Sequence, residues 1–255
     1  MNTFSDTCLT NRTFLVTGAS SGIGLAAAQL LSACGARLII SGRDIAKLES
    51  ALASLDKRAE HLLEPQALVN ADETADWIKS LAQKYGPLNG IFHSAGSELI
   101  RPVRLTKQEQ LNEIFSTSVF ASFGVARAAG QKGVLVDGAS VVFMSSVAGS
   151  NGQAGMTAYS AAKASVDGLV RSLACELAPR RIRANSIAAG AVKTAMHERL
   201  VKNSGDAAMQ SYEHAHLLGF GDPTDIANAV VFLLSDASSW MTGTTMFVDG
   251  GYVVR

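Results

Sequence analysis

The stretch Phe14-Leu15-Val16-Thr17-Gly18-Ala19-Ser20-Ser21-Gly22-Ile23-Gly24-Leu25 decides the fold. A short apolar run ends in a turn of glycine and serine, and a helical pattern starts at once. Ile23, Ala26, Ala27, Leu30, Leu31 and Cys34 recur at i, i+3, i+4, i+7 and i+8, one apolar stripe along a helix that Gly35 can close. Cys34 sits on that stripe and reads as core. Glycines at G-x-x-x-G-x-G spacing let the turn bend sharply and let the backbone approach a pyrophosphate. The free N–H groups and dipole of the following helix stabilise such an anion. Glycine and serine also fill ordinary turns, so the position between a buried strand and an amphipathic helix is what points to a dinucleotide.

Working outward, further apolar runs recur: Leu38-Ile39-Ile40, Gly90-Ile91-Phe92, Val141-Val142-Phe143-Met144, Asn185-Ser186-Ile187 and Met246-Phe247-Val248. Each is short and lacks the alternation of a half-wet sheet, as expected of strands covered on both faces. Another strand belongs between Glu60 and Val69, where the pattern is weak. Helical patterns lie between the runs, so the expectation is α/β: one doubly wound parallel sheet, Rossmann-like, of about seven strands with helices on both faces. No linker divides residues 1–255, which read as a single domain. Ligands of such sheets bind at the carboxyl ends of the strands.

Composition removes other classes. The 255 residues are 47% hydrophobic and 17% charged, ample for a core and unlike a disordered chain. With 22 basic and 22 acidic side chains there is no general attraction to nucleic acid or an anionic membrane. No apolar run reaches the roughly 20 residues of a membrane span, and the first residues lack the pattern of a secretory signal. Cys8, Cys34 and Cys175 are scattered, consistent with reduced thiols and a cytoplasmic protein with no metal site.

The end of the second strand reads Ser41-Gly42-Arg43-Asp44. Gly42 leaves room, and Arg43 offers a planar fork suited to a phosphate. Asp44 is either an acid for the ribose hydroxyls or the N-cap of a helix starting near Ile45. The cap is the favoured reading, and with it NADP(H) over NAD(H), which remains possible.

Thr157-Ala158-Tyr159-Ser160-Ala161-Ala162-Lys163 opens a helical stretch ending at Pro179. Residues four apart share a face, so the Lys163 ammonium can approach the Tyr159 phenol, draw its pKa down from about 10 and make it a general acid or base. Ser146, at the end of a buried run, could hydrogen-bond a substrate carbonyl. Alone, Ser145 and Ser146 would read as a strand-end turn.

Together these pieces resemble the short-chain dehydrogenase/reductases, in the branch of about 250 residues. The resemblance extends over residues 12–252 through Asn185–Thr194, Gly221-Asp222-Pro223-Thr224-Asp225-Ile226-Ala227, Phe232–Asp236, Thr242-Gly243 and Val248-Asp249-Gly250-Gly251. It implies hydride exchange between NADP(H) and a carbonyl/alcohol substrate. Gly18, Ser20, Ser21, Gly22, Ile23 and Gly24 would cradle the pyrophosphate, Arg43 would meet the 2′-phosphate, and Ser94, Ala95 and Gly96 would lie on the adenosine side. Tyr159 would exchange the proton, Lys163 would bind the nicotinamide ribose, Ser146 would orient the substrate, and Gly190, Val192 and Thr194 would pack on the nicotinamide end. A substrate lid over roughly 193–220 and a homodimer or homotetramer packed through the Tyr159 helix are implied as well.

The chain departs from the family pattern in three places. His93-Ser94-Ala95-Gly96 replaces Asn-Asn-Ala-Gly, Ala189-Gly190 replaces Pro-Gly, and the catalytic asparagine falls on Ser118. A serine can still hold water, which implies a modified proton relay with Ser118 as the fourth catalytic residue. The alternative is an NADP(H)-binding regulator or scaffold with weak or no turnover. His93 reads as a strand-end core residue or a support of the site. His197, His214 and His216 read as solvated or substrate-contacting, and Tyr212 and Met209 as packing or pocket residues.

Overall fold

A computed structural model describes residues 3–195 and 206–254. In chain order the elements are β1 Thr13–Thr17, α1 Gly22–Ala33, β2 Arg37–Ser41, α2 Ile45–Ala53, β3 Leu62–Leu63, α3 Ala71–Tyr85, β4 Leu88–His93, α4 Gln108–Phe115 and α5 Ala121–Gly130. They continue with β5 Leu135–Ser146, α6 Thr157–Leu177, β6 Arg183–Ala189, α7 Asp206–His214, α8 Pro223–Leu234 and β7 Thr245–Val248. The seven strands form one sheet in the order β3-β2-β1-β4-β5-β6-β7, and every pairing is parallel. The strand missing a clear pattern is β3, two residues long on the sheet edge, too short to leave a periodic signal.

Alternation of side chains across each strand divides the core into two layers. Phe14, Val16, Leu38, Ile40, Phe92 and Val142 face the layer that holds α1 and α8. Leu15, Ile39, Ile91, Val141 and Phe143 face the layer of α3, α5 and α6. Both sides of the sheet are thus covered, the physical reason the strands read as continuous apolar runs. On α1 the deepest face is Ala27, Ala28 and Leu31, with Ile23, Ala26 and Leu30 packed beside it and Cys34 fully buried. Gly35 ends that helix at φ +89°, as its missing Cβ allows.

Local chemistry sets the helix starts. The Asp44 carboxylate accepts from the Lys47 amide at the head of α2. Asn70 accepts from Asp72 and Glu73 at the head of α3. Pro223 opens α8 behind a capping box in which the Asp222 amide donates to Asp225. All three cysteines are free, and among the described residues no helix is long and apolar enough to cross a membrane.

Phe92 is fully enclosed beneath the β1–β4 edge that carries the glycine turn. Phe92→Ala is expected to lower stability by about 3–5 kcal/mol, the range for an aromatic cavity in a packed core. Equilibrium urea unfolding checks it; a loss below 1 kcal/mol would mean the layer collapses into the space.

Candidate active site

The carboxyl ends of the strands open on a cleft of about 830 Å³. Its wall holds Gly18, Ser20, Ser21, Gly22, Ile23, Gly24, Arg43, Ser94, Ala95 and Gly96, and farther along Ser146, Tyr159, Lys163, Gly190, Val192 and Thr194. Every sequence-derived site residue except Ser118 therefore faces one cavity.

The glycine turn is shaped for close backbone approach. A Cβ on Gly18 would lie 2.8 Å from the Ala95 amide nitrogen, and its φ is +68°. A Cβ on Gly24 would run into the Gly18 carbonyl. Gly22, at φ +54°, faces Thr194, whose Cγ2 would lie 3.3 Å from an added Cβ. The Ser21 side chain makes no capping bond to the first turn of α1, so that turn meets the cleft with its amides uncapped by it. A groove without side chains that ends on uncapped amides fits a pyrophosphate, and the donor set present suits a dinucleotide.

At the end of β2 the open question of Asp44 is resolved in favour of the cap: its carboxylate holds the Lys47 amide at 3.1 Å, with the Lys47 ammonium 3.5 Å away. That bond holds the Asp44 pKa below the usual range. Arg43 is exposed on the cleft wall and makes no ion pair among the described residues.

The reactive centre lies where β5 meets α6. Ser146 ends β5 and caps the turn Val147–Gly149 by accepting from the Ala148 amide. Helix α6 presents Tyr159 at the cleft and Lys163 one turn further, with Lys163 buried. The Lys163 ammonium donates to the Met144 carbonyl at 2.9 Å and stands 5.7 Å from the Tyr159 ring centre. Burial pushes the Tyr159 phenol up to about 12, against a hydrogen bond with Ser146 that pulls it down, and the Glu98 charge raises it further. Burial is the largest effect on the phenol, and the Lys163 ammonium, which the sequence expects to draw it down, stands near its ring. That ammonium is held by Met144, and burial lowers its pKa to about 8, with Asp167 opposing.

Behind this wall lies a polar pocket within the α3/α5/α6 layer. His93 is 2% exposed, and its Nδ1 is hydrogen-bonded to the Thr17 hydroxyl at 2.8 Å. Burial, then the Lys163 charge, lowers its pKa to about 3, so His93 is neutral and supports the site from behind. Its Nε2, the Ser118 hydroxyl and the Ser145 hydroxyl are buried with no hydrogen-bond partner among the described residues. Ser118 stands in a π-helical turn, Ser116–Phe120, between α4 and α5. A Cβ on Gly96 would lie 3.8 Å from the Lys163 ammonium and 3.9 Å from the Ser118 hydroxyl, which places the two beside one point.

On the far side of Ser146 is a smaller chamber of about 40 Å³, bordered by Val147, Asn151, Gln153, Met156, Tyr212 and Tyr252. Tyr212 is thus a pocket residue. His216 corrects the sequence reading: it is 3% exposed, packed among Tyr212, Phe220 and Tyr252, neither solvated nor on the cleft wall. His214 is exposed. His197 and the Met209 side chain lie outside the described residues, as do 196–205 of the lid segment. Among the described residues no His/Cys/Asp/Glu cluster could hold a metal. Sequence reasoning missed Glu98, a carboxylate on the cleft wall whose charge reaches Tyr159; a lone acid in a loop after β4 carries no pattern of its own.

Comparison with known proteins places the chain in a family. The family model described as Enoyl-(Acyl carrier protein) reductase matches residues 18–253. An uncharacterised oxidoreductase of Mycobacterium tuberculosis is 34% identical over 251 residues, covering 95% of this chain and 91% of that one. A 3-oxoacyl-[acyl-carrier-protein] reductase of Thermotoga maritima is also 34% identical, covering 96% of this chain and 99% of the relative. Among solved structures, a short-chain type dehydrogenase/reductase from Mycobacterium ulcerans superposes with a TM-score of 0.88 at 33% identity, covering 99% of this chain and 92% of that chain.

The buried lysine sets a pH signature. Folded, Lys163 loses its proton near 8; unfolded, it keeps it to 10.5. Between those values the unfolded chain binds the extra proton, so this group makes wild-type stability rise with pH. Stability measured for wild type relative to Lys163→Met should therefore shift in favour of wild type from pH 7.5 to pH 10, followed by urea melts. A difference flat across that window would show that the folded ammonium is not desolvated.

Proposed function

The chain belongs to the short-chain dehydrogenase/reductase family and is an oxidoreductase, and from that premise we propose that it exchanges a hydride between NADP(H) and a small carbonyl or alcohol, with Tyr159 as the general acid/base. The observation that carries this reading is the convergence of Ser146, Tyr159 and Lys163 on one end of a cleft whose other end is a glycine-lined groove. NADP(H), when bound, supplies or accepts the hydride.

The chain's own residues supply position and proton. The amides of the Gly18–Gly24 turn hold the pyrophosphate, and the Gly190–Thr194 segment flanks the nicotinamide end. Ser146 donates a hydrogen bond to the substrate oxygen and holds it toward Tyr159. A phenol raised to about 12 is protonated at neutral pH, the right species to protonate an oxygen that is becoming an alkoxide. Lys163 binds the ribose and relays a proton from water held by Ser118 back toward the Tyr159 phenolate, and the unpartnered Ser118 hydroxyl supports that role. Preference for NADP(H) rests on Arg43, exposed at the cleft wall and without an ion pair among the described residues, while the neighbouring Asp44 carboxylate caps α2. The outer face of α6, with exposed Ala161 and Ala164, is the surface through which a dimer or tetramer would pack.

A binding protein without turnover has one observation in its favour, the phenol held high by burial. It is outweighed because a phenol raised to about 12, though a weaker acid than a free one, is still more acidic than the alcohol whose alkoxide it would protonate.

Tyr159→Phe should cut turnover by about 100- to 10,000-fold, the usual worth of a positioned acid/base, while NADPH affinity by calorimetry stays within twofold. Full activity in that variant would end the mechanism. Arg43→Ala should weaken NADPH by about tenfold or more, the scale of a charge-assisted bond, and leave NADH nearly unchanged. The class itself is tested by titrating the protein with NADPH and NADH and running a ketone and aldehyde panel that includes a 3-oxoacyl thioester. Tight NADPH binding with no turnover across the panel would establish the binding protein instead.

A further inference from the structure

The chain leaves β6 at Ala189, and the next residues run along the cleft wall with one isolated parallel bridge, Val192 to Gly221. Several of their backbone groups are tied. The Gly190 amide donates to the Val248 carbonyl at 3.1 Å, the Gly221 amide to the Ala191 carbonyl at 3.0 Å, and the Lys193 amide to the Gly221 carbonyl at 2.9 Å. The Ala191 amide donates to His216 Nε2 at 3.0 Å. Among these ties His216 is the only side chain.

The other ring nitrogen is committed as well. His216 Nδ1 lies 2.9 Å from the Tyr212 carbonyl, one turn back at the end of α7. A backbone amide can only donate and a carbonyl can only accept, so Nε2 is the bare nitrogen and Nδ1 carries the proton. The ring is held in that orientation from three sides. It stacks on Tyr252 at 4.6 Å and 25°, meets Tyr212 edge-on at 5.0 Å and meets Phe220 at 5.4 Å. Its two bonds reach different parts of the site. Ala191 stands between Gly190 and Val192 on the cleft wall, and Tyr212 borders both the cleft and the small chamber beside Ser146.

We propose that His216 is a positioning residue that pins the 190–192 backbone to the Tyr212 carbonyl, setting the cofactor-facing and substrate-facing walls in one geometry. The assignment of those two walls rests on the oxidoreductase reading; the pin itself does not. Through Nε2 the imidazole holds the backbone that flanks the nicotinamide end. Through Nδ1–H it holds the turn that aims Tyr212 at the chamber, where the phenol is close enough to Tyr159 for their charges to interact. Aromatic packing alone would fill the same space without joining the two walls.

Side-chain length separates the two bonds. His216→Gln places an amide at the reach of Nε2 and can accept from Ala191, while falling outside the geometry of Tyr212. His216→Asn places an amide at the reach of Nδ1 and can donate to Tyr212, but stops short of Ala191. His216→Phe keeps the stack on Tyr252 and makes neither bond. The readouts are hydrogen exchange of the Ala191 amide, NADPH Kd by calorimetry, KM and kcat on the best carbonyl of the panel, and Tm.

In His216→Phe, Ala191 exchange should quicken by about tenfold or more, with Kd and KM both rising several-fold, since a buried donor is left unpaired. His216→Gln should restore exchange and Kd but not KM. His216→Asn should restore KM but not Kd. The proposal is overturned if the Phe variant keeps wild-type exchange, Kd and KM. It is equally overturned if the Gln and Asn variants share one profile that follows Tm, which is what a purely structural residue would give. Should the Phe variant fail to fold, the Gln–Asn contrast decides alone. Should wild type turn over no carbonyl, the reading of the reaction fails, while exchange and Kd still decide the pin.

Discussion

Everything at the working edge of this protein depends on how closely separate backbones approach there. Gly18 backs against Ser94 and Ala95, Gly24 against the Gly18 carbonyl, and Gly190 against Asp249, where an added Cβ would sit 2.8 Å from the Asp249 Cα. The Thr17 hydroxyl locks the first of these approaches by accepting from the Ala95 amide and hydrogen-bonding His93. Because these positions lack side chains, the exits of β1, β4 and β6 form one continuous groove with backbone on its walls. A single methyl at Gly18 or Gly24 would move a strand exit, and with it the amides that a phosphate would meet. The apolar layers on either face hold the strands rigid enough for that tolerance to be kept.

Much of this could be read from the sequence, because the determinants are local. Strands buried on both faces announce themselves as apolar runs, and the glycine turn is legible because it stands between one such run and the stripe from Ile23 to Cys34. The Tyr159–Lys163 pair follows from helical spacing alone. The role of Asp44 was a choice between two local chemistries, and the bond to the Lys47 amide decides it. What stayed hidden is set by tertiary packing. The π-helical turn at Ser118 depends on how α4 and α5 meet over the sheet, and no residue type encodes it. Glu98 acquires meaning only because its loop folds back across the cleft. His216 looked like a surface histidine because nothing within several residues of it shows that Tyr252, thirty-six positions on, will lie against its ring.

The pairing of Tyr159 with Lys163 also shows the difference between spacing and energetics. Four residues on a helix bring the two groups near each other, yet burial acts on both and raises the cost of either charge. Desolvation pushes the phenol toward 12 and the ammonium toward 8, so the neutral forms of both are favoured relative to water. The Met144 carbonyl orients the ammonium, and Asp167 opposes its loss of charge. His93 behind them stays uncharged for the same reason, and its neutrality keeps a second cation away from Lys163.

These energetics give the site a direction. With the chain's own groups alone, Tyr159 is a proton donor in waiting: burial and the Glu98 carboxylate both favour the neutral phenol, and only the Ser146 hydrogen bond favours its anion. On the proposed reading, donation to a developing alkoxide would need no prior ionisation of this phenol. Alcohol oxidation requires the phenolate first, and therefore a positive charge brought near it or a carboxylate taken away. Glu98 contributes to that balance from the cleft wall, outside the buried layer. The glycine groove thus follows from close backbone approach, whereas the neutral state of Tyr159 follows from its burial.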